Sequence, residues 1–226
     1  MSTNSLYNLA RVTRDHLRKA TFSDSRDGQL AESFASDLEH VLGGSLPVQM
    51  PGEKEVRALR YAPTMLGRDI PEELGALTEA SRNAFGQVRW TEFYEEDDWS
   101  NPFLSSFANG EGIGPDGRLF HKNIILGLFI LGPDTTYPAH AHPAEEFYIV
   151  LAGNPEFQVG ANKNFERQRL GAIVLHHSEV SHSIRTTAEP FFAIFGWRGD
   201  IEGRSWYRDD MANTTDQKRY PTIRKE

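Results

Sequence analysis

The sequence of 226 residues contains no cysteine. Disulfide bonds, thiolate metal sites, iron–sulfur clusters and cysteine nucleophiles are therefore all excluded. Any metal ion held by this chain must bind to nitrogen and oxygen ligands. A chain of this length can still bury a substantial core without covalent or metal cross-links.

The chain also lacks an excess of basic residues and any long apolar segment. Its 24 basic and 32 acidic residues give a formal net charge of −8, which argues against nucleic acid or an anionic membrane as the main partner. The longest apolar run covers nine residues, 124–132, whereas a membrane-spanning helix needs about 20. The first 20 residues lack the apolar centre and cleavage site of a secretory signal, so we expect a cytoplasmic protein.

The pattern of apolar residues changes near residue 86. Before it, spacings of three and four residues predict amphipathic helices. After it, short apolar or alternating runs between turn residues predict a β-sandwich or β-barrel, and Gly110–Gly117 is interpreted as a turn-rich loop. We therefore expect a mainly β protein with three parts: a helical segment at 1–86 packing on the barrel, a β-barrel catalytic domain at 87–208, and a polar tail at 209–226.

Histidines are concentrated in the second half of the chain. Five of the eight lie between positions 140 and 182, and His140 and His142 have the two-residue spacing that directs both side chains to one face of a strand. Glu146 and Tyr148 share a face by the same argument, while the residues between them point to an apolar layer. His176 and His177 are interpreted as loop residues, with a role behind the metal ligands as the alternative.

A polar row on the inside of a barrel needs a partner, and a metal ion would supply one. His182, on a later predicted strand, is the candidate for a fourth ligand. Three imidazoles and one carboxylate suit Zn²⁺, Fe²⁺, Mn²⁺, Co²⁺ or Ni²⁺, and the ligand types do not choose among these ions.

Two motifs in this region resemble those of the cupin family. The run from Gly132 through His140, His142 and Glu146 to Gly153 resembles the first cupin motif, with two extra residues after the first glycine. Gly171 and His182 have the spacing of the second motif, although its usual proline and glycine are absent. The resemblance implies a double-stranded β-helix barrel that holds one divalent metal ion through four ligands, which are His140, His142, Glu146 and His182.

A narrower resemblance is to the cupin-type dimethylsulfoniopropionate (DMSP) lyases, and the overall length favours the DddL type. It is carried by the spacing of Tyr137, His142, Glu146 and Tyr148, and by Trp197 fifteen residues after His182. The resemblance implies cleavage of DMSP by β-elimination to dimethyl sulfide and acrylate, with the metal ion on the substrate carboxylate. Tyr148 is the first candidate for the base, and Tyr137 is the second or a substrate-positioning group.

The other end of such a substrate is a sulfonium cation, which aromatic faces can bind. Trp197 and Phe195 lie on one strand face and are the candidates for this task, together with Tyr137 as a general substrate contact. Two other functions use the same ligands, namely an Fe²⁺-dependent cupin dioxygenase and a non-catalytic small-molecule-binding cupin. A homodimer is expected by analogy with other cupins.

Overall fold

The computed structural model describes residues 3–50, 52, 55–67, 71–161, 164–207 and 218–223. Most of the helical structure lies in the first 84 residues, as the sequence predicts. The helices are α1 (Asn4–Lys19), α2 (Ser25–Leu42), α3 (Ala62–Leu66), α4 (Gly75–Ala84) and α5 (Asn101–Leu104). Short 3₁₀ turns precede α3 at Arg57–Tyr61 and α4 at Glu72–Leu74. No helix of the described residues is long and apolar enough to span a membrane.

The described residues also form twelve strands, and all but one of the pairings between these strands are antiparallel. They are β1 (Arg89–Thr91), β2 (Phe107–Gly114), β3 (Leu119–Phe120), β4 (Ile124–Leu131), β5 (Thr136–Ala141), β6 (Glu145–Ala152), β7 (Glu156–Val159), β8 (Glu166–Arg167), β9 (Ile173–His176), β10 (His182–Arg185), β11 (Phe191–Arg198) and β12 (Trp206–Tyr207). The larger sheet has the order β1-β2-β4-β11-β6-β9, with β3 beside β2, and the smaller sheet has the order β12-β5-β10-β7-β8.

The alternation of side chains along β6 shows how the larger sheet divides the molecule. Phe147 and Ile149 point outward and pack with the helices in one apolar cluster. Tyr148 and Val150 point inward and pack against residues of the smaller sheet, such as Ile184, in a second cluster. The two sheets therefore enclose an inner space, and the polar row that begins at Glu146 faces it.

The helical segment is attached to the outer face of the larger sheet. The ring of Phe34 on α2 meets the edge of Phe147 on β6, with ring centroids 4.8 Å apart. Arg198 at the end of β11 donates to Asp37 on α2 at 2.8 Å and also pairs with Glu145. These contacts close one side of the sheet to water, so the inner side remains the place for a ligand. The predicted boundary at residue 86 and the predicted homodimer stay predictions.

One sequence-based interpretation is wrong: Gly110–Gly117 is not a turn-rich loop throughout, because its first five residues belong to β2. Two of these glycines serve close packing instead of a turn. A Cβ atom on Gly110 would lie 2.7 Å from Val88, and one on Gly112 would lie 2.7 Å from Leu6. Small residues at these positions allow the preceding chain and α1 to approach the strand.

The carboxy-terminal segment is only partly described, since residues 208–217 and 224–226, most of the predicted tail, lie outside the described part. Residues 218–223 run back along the barrel. Arg219 forms a β-bridge with Tyr207, and Ile223 forms one with Tyr94. Lys218 donates to Glu179 at 2.8 Å, which further ties this segment to the loop before β10.

Candidate metal centre

Two neighbouring strands bring the predicted histidine ligands together. His140 lies on β5 and His182 begins β10, and these two residues are direct partners in the antiparallel pairing. His142 follows the end of β5, where the chain turns toward β6. All three imidazoles are buried, and each offers a nitrogen within 4.8 Å of the other two.

Backbone carbonyls fix the orientation of each of these rings. The Nδ1 atoms of His140, His142 and His182 each contact a carbonyl oxygen two residues away, and the acceptors are Pro138 at 2.8 Å, Ala144 at 2.9 Å and Val180 at 3.0 Å. A ring that donates from Nδ1 in its neutral form carries its lone pair on Nε2. The three Nε2 lone pairs are therefore available inside the barrel, as a metal ion requires.

Glu146 supplies the only carboxylate among these buried groups. Its Oε2 atom lies 3.2 Å from Nε2 of His182 and 3.5 Å from Nε2 of His142. Burial by itself would raise the pKa of this carboxyl, but the surrounding histidines outweigh burial and hold the pKa well below its usual range. The group is therefore an anion at neutral pH, and its charge can balance part of the charge of a bound cation.

The structure places a fifth polar residue in this cluster, and here the sequence-based interpretation of His176 as a loop residue is wrong. His176 ends β9 opposite Glu146 on β6, and its Nδ1 atom lies 2.8 Å from Glu146 Oε2. Its ring stacks on that of His182, with centroids 3.8 Å apart. The parity of the predicted strand, extended by one residue beyond Leu175, would have placed this histidine on the inner face.

Several of these buried nitrogens have no hydrogen-bond partner. Among the described residues, this applies to Nε2 of His142, His176 and His182. A buried polar atom without a partner is costly, so three of them in one place favour the binding of a group that contacts them all. The donor set of imidazole nitrogens and one carboxylate fits a divalent transition metal, and the residues present therefore suit such an ion.

The protonation state of the cluster agrees with this role. Burial, followed by the charge of neighbouring His182, holds the pKa of His140 well below its usual value. Burial likewise lowers the pKa of His176 to about 3. Both imidazoles are therefore neutral at physiological pH, which is the form that binds a metal ion.

The two predicted catalytic tyrosines lie on either side of the cluster. Tyr148 follows Glu146 by two residues on the inner face of β6, and its hydroxyl interacts with that carboxylate. The ring of Tyr137 packs against His140, with centroids 4.1 Å apart, and its hydroxyl lies 2.6 Å from that of Tyr94. Burial raises the pKa of both phenols well above the usual value, and the charge of Glu146 adds to the effect at Tyr148.

Trp197 connects the cluster to a neighbouring cavity. Its indole Nε1 donates to Glu146 Oε1 at 2.6 Å, and its ring lies 4.4 Å from that of His142. Phe195, two residues earlier on β11, faces the same inner space and packs with Tyr148. The predicted aromatic residues therefore lie beside the polar cluster, while Trp90, another aromatic residue, packs on the outer side with Phe85.

Two facing antiparallel sheets, with helices outside and buried histidines between them, define the cupin class of β-barrel. The sequence profile of the dimethylsulfoniopropionate lyase family matches residues 39–193, which is more than half of the chain. The chain therefore belongs to the dimethylsulfoniopropionate lyase family, a family of carbon–sulfur lyases.

Individual relatives agree with this assignment. The chain is 32% identical over 151 residues to dimethylsulfoniopropionate lyase DddQ of Ruegeria pomeroyi, covering 65% of this chain and 75% of that protein. It is 29% identical over 143 residues to the putative dimethylsulfoniopropionate lyase DddL of Cereibacter sphaeroides, covering 61% of this chain and 59% of that protein. The family is confirmed, and the identities do not separate the DddL type from the DddQ type.

Solved structures confirm the predicted fold. The crystal structure of DddQ from Ruegeria pomeroyi superimposes with a TM-score of 0.60 at 26% identity, covering 78% of this chain and 93% of that chain. A structure described with the lyases RdDddP and RnDddQII gives a TM-score of 0.59 at 21% identity, covering 87% of this chain and 97% of that chain. The second likeness concerns the fold alone.

The buried neutral histidines predict how stability depends on pH in the metal-free protein. The folded-state pKa values of His140 and His176 lie below the unfolded value of about 6.5, so the unfolded chain binds more protons as the pH falls through that value. We expect the free energy of unfolding to decrease between pH 7.5 and pH 5.5, by on the order of 1 kcal/mol for each of these two histidines. Urea unfolding in the presence of a chelator measures this.

The variant His176→Gln should show a smaller decrease over the same pH interval, because one of the buried imidazoles is removed. His40→Gln, which removes an exposed imidazole on α2, is the matched control. A free energy of unfolding that does not change between the two pH values in the unaltered chain would contradict the buried, neutral state of the cluster.

Proposed function

We propose that this protein cleaves dimethylsulfoniopropionate to dimethyl sulfide and acrylate, using one divalent metal ion held by His140, His142, Glu146 and His182. Family membership supports the substrate. The observation that supports the metal is that two groups of buried ligand atoms, His140, His142 and His182, and Glu146, His176 and His182, share His182, and several of their nitrogens have no hydrogen-bond partner. We do not assign His176 or Trp197 as a ligand. His176 contacts one oxygen of Glu146 and Trp197 the other, so together they orient this carboxylate.

The reaction requires removal of a proton that is only weakly acidic. It is bonded to the carbon next to the substrate carboxylate, which already carries a negative charge. When a divalent ion is bound, it supplies Lewis-acid stabilisation of the charge that develops on that carboxylate and a positive potential at nearby phenols. The C–H electron pair then forms the new double bond, the C–S bond breaks with its electrons on sulfur, and the proton passes to the base.

Tyr148 is our first choice for that base. A phenol has a usual pKa of about 10, and here burial and the charge of Glu146 raise it further. The protein groups alone therefore disfavour the phenolate, and this base needs the opposing positive charge of the proposed ion. Its place two residues beyond Glu146 puts the hydroxyl next to the carboxylate that would hold that ion.

Tyr137 is the second choice and fits a positioning role. Its hydroxyl forms a short hydrogen bond of 2.6 Å with Tyr94, which fixes the ring against His140. A phenol held in this way is oriented for contact with a substrate carboxylate. The aromatic faces of Trp197 and Phe195 are assigned to the sulfonium end of the substrate.

The direct test is headspace detection of dimethyl sulfide after mixing purified protein with dimethylsulfoniopropionate under nitrogen. We expect release in the absence of O₂, loss of release with a chelator, and recovery on adding back a divalent transition metal. His140→Ala, His142→Ala and His182→Ala should each lower metal content and activity together. Undiminished metal in all three variants by elemental analysis would contradict the ligand assignment, and a requirement for O₂ would favour the dioxygenase.

The variant Tyr148→Phe should keep its metal and fold but lose about 10²-fold or more in kcat, because the proton acceptor is missing. Tyr137→Phe serves as the comparison and should retain more of the turnover. Steady-state kinetics with metal analysis of both variants measure this. A Tyr148→Phe enzyme with near-normal kcat would exclude this residue as the base.

A further inference from the structure

A cavity of about 90 Å³ lies on the inner face of the larger sheet, next to the histidine cluster. Trp197 belongs to both places, since its indole donates to Glu146 and its ring also lines the cavity. We call this cavity the Glu111 chamber, and the residues used below to describe it are Arg89, Phe93, Asn109, Glu111, Asp116 and Trp197.

The sheet register connects Glu111 with the proposed catalytic residues. Glu111 on β2 pairs with Gly127 on β4, which pairs with Phe195 on β11, which pairs with Tyr148 on β6. These four positions therefore form one row across the inner face. A Cβ atom on Gly127 would clash with the backbone carbonyl of Gly110 and lie 2.9 Å from the Phe195 ring, so glycine is needed at this position of the row.

The Glu111 carboxyl is held in place by the backbone. Its Oε1 atom accepts from the backbone N–H of Asp116 at 2.7 Å. Burial is the main reason that the pKa of this group is raised to about 7, and the hydrogen bond from Asp116 N–H and the charge of Arg89 only partly oppose the effect. Arg89 is itself 3.5 Å from the side chain of Asp116. The charged lining residues are thus two carboxyls and one guanidinium, which leaves one negative charge in excess when Glu111 is ionised.

The remaining lining suits a cation that has no hydrogen-bond donors. Phe93 has a positive φ of 62°, a strained conformation for a bulky residue, and its ring lies edge-on to Trp197 at 6.4 Å. The Oδ1 atom of Asn109 is buried and has no hydrogen-bond partner among the described residues. An aromatic face, a carboxylate and a free carbonyl oxygen together attract the polarised C–H groups of a methylated cation.

We propose that Glu111 determines the specificity of this enzyme for a cationic substrate, because its carboxylate and the Phe93 and Trp197 rings hold the sulfonium end. The inference rests on the proposed function and deepens it. The substrate carboxylate faces the histidine cluster, and the dimethylsulfonium group lies at the end of the Glu111 chamber that Trp197 lines. Glu111 takes no part in proton transfer, so it is a positioning residue.

The variant Glu111→Gln tests this role, because glutamine keeps an oxygen that can accept from Asp116 N–H but loses the charge. We expect KM for dimethylsulfoniopropionate to rise about tenfold while kcat stays within about twofold. Glu79→Gln, which removes one charge from the exposed side of α4, is the matched control and should change neither constant. An unchanged KM in Glu111→Gln would overturn the assignment.

A binding experiment separates this inference from the proposed function. The probes are 3-(trimethylammonio)propanoate and its neutral isostere 4,4-dimethylpentanoate, which share the carboxylate end and differ in the charge at the other. Calorimetry on the metal-loaded protein should show tighter binding of the charged probe, and Glu111→Gln should remove this preference. Equal affinity for both probes in the unaltered protein overturns the Glu111 role, whereas absence of dimethyl sulfide release overturns the proposed function.

A third measurement needs no variant, and it decides the matter if Glu111→Gln does not fold. Titrations that affect the shared carboxylate end change the affinities of both probes equally, so they cancel in the ratio of the two affinities. Arg89 and Asp116 are the charged groups that face Glu111, and protonation of Glu111 itself lowers the affinity for a cation only. The preference for the charged probe should therefore fall as the pH decreases from 8 to 6, and a constant ratio would contradict the proposal.

Discussion

The structure depends on one constraint, which is that several imidazole nitrogens and a carboxylate are buried together between two sheets. Backbone carbonyls occupy Nδ1 of His140, His142 and His182, which leaves their Nε2 lone pairs available, and those of His142 and His182 lie within 3.5 Å of Glu146. Burying such a group of polar atoms is costly, and a cation that binds to all of them would offset this cost. The lowered pKa values of His140 and His176 disfavour the proton, which agrees with the metal ion that we propose.

The rest of the fold serves to hold this cluster dry and rigid. The larger sheet presents Phe147 to the helices on its outer face and Glu146 to the inner space, so one strand supplies both packing and chemistry. Each oxygen of Glu146 has its own partner, Trp197 for Oε1 and His176 for Oε2. A carboxylate fixed at both oxygens cannot rotate freely, which favours a defined coordination geometry.

Much of this arrangement follows from the two-residue period of β-strands. The period places Glu146 and Tyr148 on one face, and the spacing of His140 and His142 indicates a shared ligand site. The same reasoning missed His176, because the predicted strand ended one residue too early. The sequence pattern also assigned Gly110–Gly117 to a loop, because glycine occurs both in turns and where two segments pack closely. The neighbours that distinguish these two uses lie far away in the sequence.

For the same reason Glu111 could not be recognised from the sequence. Its place opposite Phe195 and Tyr148 depends on the register of three strand pairings, and its environment depends on Phe93 and Trp197. The pairing of Tyr94 with Tyr137 is likewise a contact between distant segments. Local patterns thus predict which residues face inward, whereas the contacts that each residue makes can be identified only in the folded barrel.

The central claim is that one ion is bound at this convergence of side chains. Anomalous X-ray diffraction from crystals of the metal-loaded protein tests it most directly. We expect a single strong anomalous peak about 2.0–2.2 Å from Nε2 of His140, His142 and His182 and from an oxygen of Glu146. A metal-loaded crystal with no peak among these side chains, or with its ion bound elsewhere, would contradict the account.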